Sequence, residues 1–163
     1  MLELHLTHAN DKVASGAAEG LIASHGLNGY RERIWDRLKA RGLDGPTESQ
    51  RHHFAVNVLD GEVRNGGLSQ YFFNSGGGDW RIAVAGLEAM GSKERLAILQ
   101  EAIAMFGKDG PSTDRDGRMK QLSGLVKANE KLFDALEVRY YKSGENLDVL
   151  MTRYVLKNPD AFK

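Results

Sequence analysis

Cysteine is absent from this 163-residue chain, which excludes a disulfide framework, thiolate-bound zinc, iron–sulfur clusters and thiol catalysis. Proline is scarce, at 3 residues, and the 19 glycines sit mostly where helices end or loops begin. No window approaches the roughly 18 unbroken apolar residues of a membrane span, so no membrane partner is expected. Charge of one sign is also missing. The chain has 22 Lys and Arg against 22 Asp and Glu, for a net charge of +0 and a sequence pI of about 7.0. Residues 1–80 carry 8 basic and 10 acidic side chains, and residues 81–163 carry 14 and 12, so there is neither a basic arm nor an acidic tail. Nucleic acid is not expected as a direct ligand, because that affinity comes mostly from Lys and Arg neutralising phosphates. The opening Met1-Leu2-Glu3-Leu4-His5-Leu6 has no basic n-region and no apolar h-region. It does not read as a secretory signal, and the cytoplasm is the expected address.

What is present suits an ordinary globular protein, with 41% hydrophobic and 27% charged residues. The length points to one domain over residues 1–163. A chain of this size hides roughly 70% of its unfolded surface and needs no metal or cross-link to hold together. Leu2, Leu4 and Leu6 alternate with polar residues, the pattern of a short strand or of a flexible start over residues 1–10. Beyond that, helical spacing dominates. Ala-rich residues 11–24 form one segment. Tyr30, Ile34, Trp35 and Leu38 mark the next, with Asn28 as its candidate cap. Thr47 and Gln50 stand in capping-box spacing before Phe54, Ala55, Val58, Leu59 and Val63. Asn65-Gly66-Gly67 is expected to break that helix. Asp79 and Ser92 are candidate caps for the two helices that follow, with Gly91 as a stop between them. The longest pattern runs from Gly117 to Tyr141, and a last helix carries Leu147 to Val155. The fold class is all-α, an irregular compact bundle of about seven or eight helices.

The candidate chemistry is thin. Asn74-Ser75-Gly76-Gly77-Gly78-Asp79 leads into a helix, where free N–H groups can cradle an anion. It lacks the Lys and Ser/Thr of a phosphate loop, and Asp79 would repel phosphate. His52 and His53 are neighbours on a helix and point about 100° apart, whereas a helical zinc pair needs i and i+4. One is expected partly inside and the other at the surface. No Gly-x-Ser-x-Gly elbow is present, and carboxylate pairs such as Asp114 with Asp116 read as solvated charges. No catalytic residue, metal site or cofactor is expected.

The most unusual stretch runs from Glu62 to Ser75. Asn65, Gln70 and Asn74 stand among glycines and three consecutive aromatics, Tyr71, Phe72 and Phe73. The amides can bond free backbone groups at turns, or line a polar pocket. At least one aromatic should be buried and one should face a neighbour or a partner. The candidate binding residues are therefore Asn65, Gln70, Tyr71, Phe73 and Asn74.

The block from Asn65 to Gly76 resembles the signature of a bacterial domain-of-unknown-function family related to DNA-mimic proteins. Ala85 to Gly91, Leu132 to Glu137 with Tyr140-Tyr141, and Tyr154 to Pro159 support the likeness, which covers about residues 30–162. The resemblance implies an all-helical fold. It also implies a relative that displays carboxylates in the pattern of DNA phosphates to occupy a DNA-binding protein. Duplex DNA carries one negative charge per about 1.7 Å of axis, and a chain with as many bases as acids is poorly suited to imitate it. The leading expectation is a non-enzymatic module that binds an unidentified protein. A pocket near Asn65, Gln70 and Asn74 serving a small ligand or an enzyme is the alternative, and DNA mimicry ranks last. A neutral pI leaves homo-oligomers open.

Overall fold

The computed structural model describes residues 11–163; the Leu2–Leu6 alternation lies outside them. Nine α-helices and no strand occur among the described residues. In chain order they are α1 (Asp11–Ser24), α2 (Tyr30–Arg41), α3 (Glu48–Phe73), α4 (Trp80–Met90), α5 (Lys93–Ala104), α6 (Arg115–Ala128), α7 (Asp134–Lys142), α8 (Leu147–Lys157) and α9 (Pro159–Phe162). None is long and apolar enough to cross a membrane.

Helix α3 is the axis of the bundle. It packs most extensively on α4 and also meets α6, α7 and α9. Its capping box forms as the sequence predicts. The Gln50 N–H donates to Thr47 Oγ1 at 3.2 Å, and the Thr47 N–H donates to Gln50 Oε1 at 3.0 Å. Val56, Leu59 and Val63, spaced three and four apart, are fully buried. The expected break falls at Gly66 and Gly67. Gly67 adopts φ 80°, ψ −176°, a conformation open in practice to glycine. The freed Leu68 N–H is taken up by the Glu137 carboxylate of α7 at 2.8 Å. After the kink Leu68, Tyr71 and Phe72 re-enter the core, and Phe72 stacks obliquely on Phe106 and Phe133, with centroids 4.7 and 5.9 Å away.

Helix α1 joins through a smaller cluster in which Ala14, Ala17, Ala18 and Leu21 pack with Val149 of α8.

Four local expectations need correction. The continuous helix expected from Gly117 to Tyr141 is two, α6 and α7. The Asn129 side chain accepts the Lys131 N–H at 3.1 Å, competing with the helical ladder, and the resulting turn swings Phe133 into the core. Asn28 does not cap α2; Gly29 does so at φ 72° without a side-chain bond. Asp79 precedes α4 but makes no capping bond. Ser92 occupies the cap position of α5, yet its hydroxyl donates to Glu145 Oε2 at 2.6 Å, and Glu145 Oε1 accepts the Glu94 N–H at 3.0 Å. A carboxylate from far along the chain thus does what the local serine was expected to do.

Candidate binding groove

The five residues singled out in the Asn65–Asn74 block part company in the folded chain. Gln70 and Asn74 converge: both side-chain amides donate to the same oxygen, Glu62 Oε2, at 2.7 and 2.8 Å. Asn65 is exposed, and its side chain bonds to none of the described residues. Tyr71 is fully buried. Burial pushes its phenol pKa up, and its hydroxyl finds no hydrogen-bond partner among the described residues. Tyr71 therefore cannot be the aromatic offered to a partner, which corrects that part of the expectation. Phe73 is 45% exposed, with the Arg115 guanidinium 5.5 Å from its ring centroid.

The glycine turn between α3 and α4 does not cradle an anion; it wraps a cation. Arg118 of α6 is fully buried, yet among the described residues no carboxylate forms an ion pair with it. Its Nε donates to the Phe72 carbonyl at 2.7 Å, Nη2 to Asn74 at 2.9 Å, and Nη1 to Ser112 and Thr113 at 2.8 and 3.2 Å. A Cβ on Gly77 would meet the Tyr71 carbonyl and the Phe72 backbone, so glycine is what lets the turn close over the guanidinium. Nothing in the local sequence around Arg118 marks this role, which depends on carbonyls some 44 residues away.

Beside this clasp lies a groove of about 550 Å³ between α2, the first half of α3 and the glycine turn. Ile34 and Trp35 of α2 face Phe54 and Val58 of α3 across it. Trp35 is 50% exposed; its ring lies 5.8 Å from that of Phe54, with the Lys39 ammonium 5.6 Å from the Trp35 centroid. Trp35 falls just off the Tyr30–Ile34 stripe that α2 buries. That single-residue offset is the signal by which the sequence could have separated it from the core set. Val58 sits where a Cβ on Gly76 would stand, so the turn closes onto the groove wall only because position 76 is glycine.

Arg31, His53, Asn57, Glu62, Ser75 and Asp79 are the polar residues that line the groove. His53 is buried, its Nε2 lies 3.0 Å from the Tyr30 hydroxyl, and burial together with the Arg31 charge pushes its pKa down to about 3. It is neutral at ordinary pH. His52 is partly exposed, with Nδ1 3.1 Å from the Tyr154 hydroxyl, and burial lowers its pKa as well. The expected division is met only in part: His53 is inside, but the His52 side chain is only 14% exposed and does not sit at the surface as one of the pair was expected to. Farther along α3 is Glu62, and Asp79 lines the groove from the glycine turn. Nine residues of α3 separate His53 from Glu62, about 13 Å along the axis. Asp79 makes no hydrogen bond or ion pair with any described residue; burial raises its pKa, and the Arg118 charge partly offsets that rise. Asn65, Gln70 and Asn74 do not line the groove, though Gln70 and Asn74 orient the Glu62 that does.

Among the described residues, no group of three or more His, Asp or Glu side chains could hold a metal ion. Comparison with curated proteins gave no match, and neither did comparison with solved structures. The family model described as DMP19-like protein matches residues 44–158, a narrower span than the expected 30–162. The match begins beyond α2, so Arg31, Ile34 and Trp35 lie outside it. It takes in the capping box, the kinked α3, the glycine turn and every helix through α8, well over half of the molecule, and the chain accordingly belongs to the DMP19-like protein family.

Proposed function

We propose that this protein is a non-enzymatic binding module that engages another protein through the groove between α2 and α3. The observation that carries the reading is the half-exposed Trp35 set against Phe54 at the mouth of an apolar-walled groove of about 550 Å³. Exposed apolar surface of this kind marks partner sites, and aromatic anchors beside pockets dominate interface energetics. Several polar groups in and around the groove are committed to structure, Gln70 and Asn74 to Glu62, His53 to Tyr30 and Arg118 to four carbonyls, and Asp79 has no hydrogen-bonded base or acid beside it among the described residues. Side chains held in this way support recognition better than proton transfer.

The test compares proteins retained from a lysate of the source cells by the wild-type chain, Trp35→Ala and Phe73→Ala. A partner kept by wild type and Phe73→Ala but lost by Trp35→Ala supports the groove. Equal recovery by all three removes it. A small molecule is the second reading, favoured by the groove's volume, which lies within the range of small-ligand sites. In that case retention would be unchanged, and a ligand would co-purify with wild type but not with Trp35→Ala. DNA mimicry draws less support, because 22 basic residues stand against 22 acidic ones.

A further inference from the structure

Asparagine or aspartate precedes glycine at six positions in this chain, Asn28, Asp44, Asp60, Asn65, Asp109 and Asp116. At each, the glycine nitrogen can attack the side-chain carbonyl carbon before it, provided that nitrogen is free and the backbone can turn toward the side chain. The fold disarms five of the six. The Gly45 N–H donates to the Gly42 carbonyl at 3.3 Å, the Gly110 N–H to the Gly107 carbonyl at 3.1 Å, and the Gly117 N–H to Asp114 Oδ2 at 2.8 Å. Gly61 and Gly66 lie inside α3, where every residue up to Asn65 keeps helical backbone, and a helix holds each N–H on the carbonyl four positions back.

Asn28–Gly29 is the exception. The pair lies in the link between α1 and α2, with Asn28 exposed and Gly29 at φ 72°. Among the described residues, no acceptor takes the Gly29 N–H and no partner holds the Asn28 side chain. The Asn28 carbonyl accepts Arg33 Nη1 at 2.8 Å, and Arg33 Nη2 donates to the Phe162 carbonyl at 2.7 Å. A guanidinium on that carbonyl polarises the Asn28–Gly29 peptide group and makes its N–H more acidic, which favours the deprotonated nitrogen that attacks.

We propose that Asn28 is a site of spontaneous deamidation in the folded protein. The Gly29 nitrogen gives up its proton to solvent and bonds to Asn28 Cγ. The Cγ–Nδ2 bond breaks, and Nδ2 leaves as ammonia with a proton taken from solvent. Water then opens the cyclic imide at either carbonyl to give aspartate or isoaspartate, with no oxidant or reductant involved. Either product adds one negative charge just ahead of the N-terminus of α2, where the helix dipole and Arg33 favour it. Isoaspartate also lengthens the main chain by one carbon between Leu27 and Tyr30, both buried. The site is separate from the groove and does not depend on what the groove binds.

The experiment incubates the full chain in mildly alkaline buffer, folded and in concentrated urea, and follows Asn28 and Asn65 by digestion and mass spectrometry. In the folded chain Asn28 should convert while Asn65, which must wait for α3 to open locally, lags at least about tenfold. In urea the two should convert at similar rates, because each precedes glycine. Asn28→Gln, whose longer side chain must close a less favoured six-membered ring, should lose the early conversion without losing a hydrogen bond. Asn28 intact in the folded chain, or no faster there than Asn65, would overturn the proposal. So would a preference for Asn28 that persists undiminished in urea, which would trace it to neighbouring residues and not to the fold, or an early conversion that survives Asn28→Gln.

Discussion

At the scale of single residues, Arg118 and His53 show how one buried polar group can decide much of a fold's behaviour. Arg118 satisfies four carbonyls from two separate chain segments. Removing it leaves the buried Phe72 carbonyl without this donor, at about 1–3 kcal/mol, and takes a donor from three part-buried carbonyls that water can partly replace. Arg118→Met should therefore cost about 3 kcal/mol or more in urea unfolding. Arg118→Lys should recover less than half of that, because an ammonium cannot span the same fork of acceptors. His53 makes stability depend on pH. Its folded pKa of about 3 lies below the ordinary 6.5, so between those values the unfolded chain binds a proton that the folded chain does not. Stability from this group is intact above pH 6.5 and is lost as pH falls, by up to about 1.4 kcal/mol per pH unit. Unfolding midpoints measured from pH 7 down to 4.5 should fall, and His53→Gln should flatten the dependence. An unchanged slope in that variant would contradict the assignment to His53.

At the scale of elements, the glycines of α3 and α4 differ in what they permit. At Gly67, φ is 80° and an added Cβ would run into the Glu137 carboxylate that caps the restarted helix. Gly67→Ala should cost about 2 kcal/mol or more, from backbone strain and a displaced cap together. At Gly66 φ is −159°, outside the left-handed region, and a Cβ meets the Gln70 side chain and no backbone atom. Gly66→Ala should cost clearly less, so thermal denaturation of the pair separates strain from crowding. Gly86 works differently again: a Cβ there would stand 2.8 Å from Val56 Cγ2 and 2.9 Å from the His52 carbonyl, so it sets how closely α3 and α4 approach. The cap on α5 is a third case. Glu145→Ala removes the acceptor for both the Ser92 hydroxyl and the Glu94 N–H. It should cost about 1–2 kcal/mol, and amide exchange should accelerate first in the opening turn of α5.

At the scale of the whole molecule, the core is uneven. The α3–α4 contact buries Val56, Leu59, Val63, Ala83 and Leu87 completely, whereas α1 sets three alanines and Leu21 against α8 and sends one side chain, Ile22, into the main core. Small side chains bury little area, and stability per helix follows the area buried. Amides of α1 should therefore exchange by local opening well before those of α3 between Val56 and Val63, which should exchange only on global unfolding. Hydrogen-exchange mass spectrometry checks this directly; equal protection in both would show that α1 and the main core open together.

The all-helical class, the capping box at Thr47 and Gln50, the interruption at Gly66-Gly67 and the stop at Gly91 were all legible in the amino-acid sequence, because each depends on residues within a few positions of one another. The long helix expected from Gly117 to Tyr141 shows the limit: periodicity continues through Asn129, and only the burial of Phe133 against Phe72 makes the turn there pay. Tertiary structure alone chose Phe73 over Tyr71 as the exposed aromatic, replaced Ser92 by Glu145 as a cap, closed the Phe72 and Asn74 carbonyls over Arg118 and brought Glu62 and Asp79 into one groove with Trp35 and Phe54. Those outcomes join residues tens of positions apart, and a chain carries no local mark of which distant surfaces it will bring into contact.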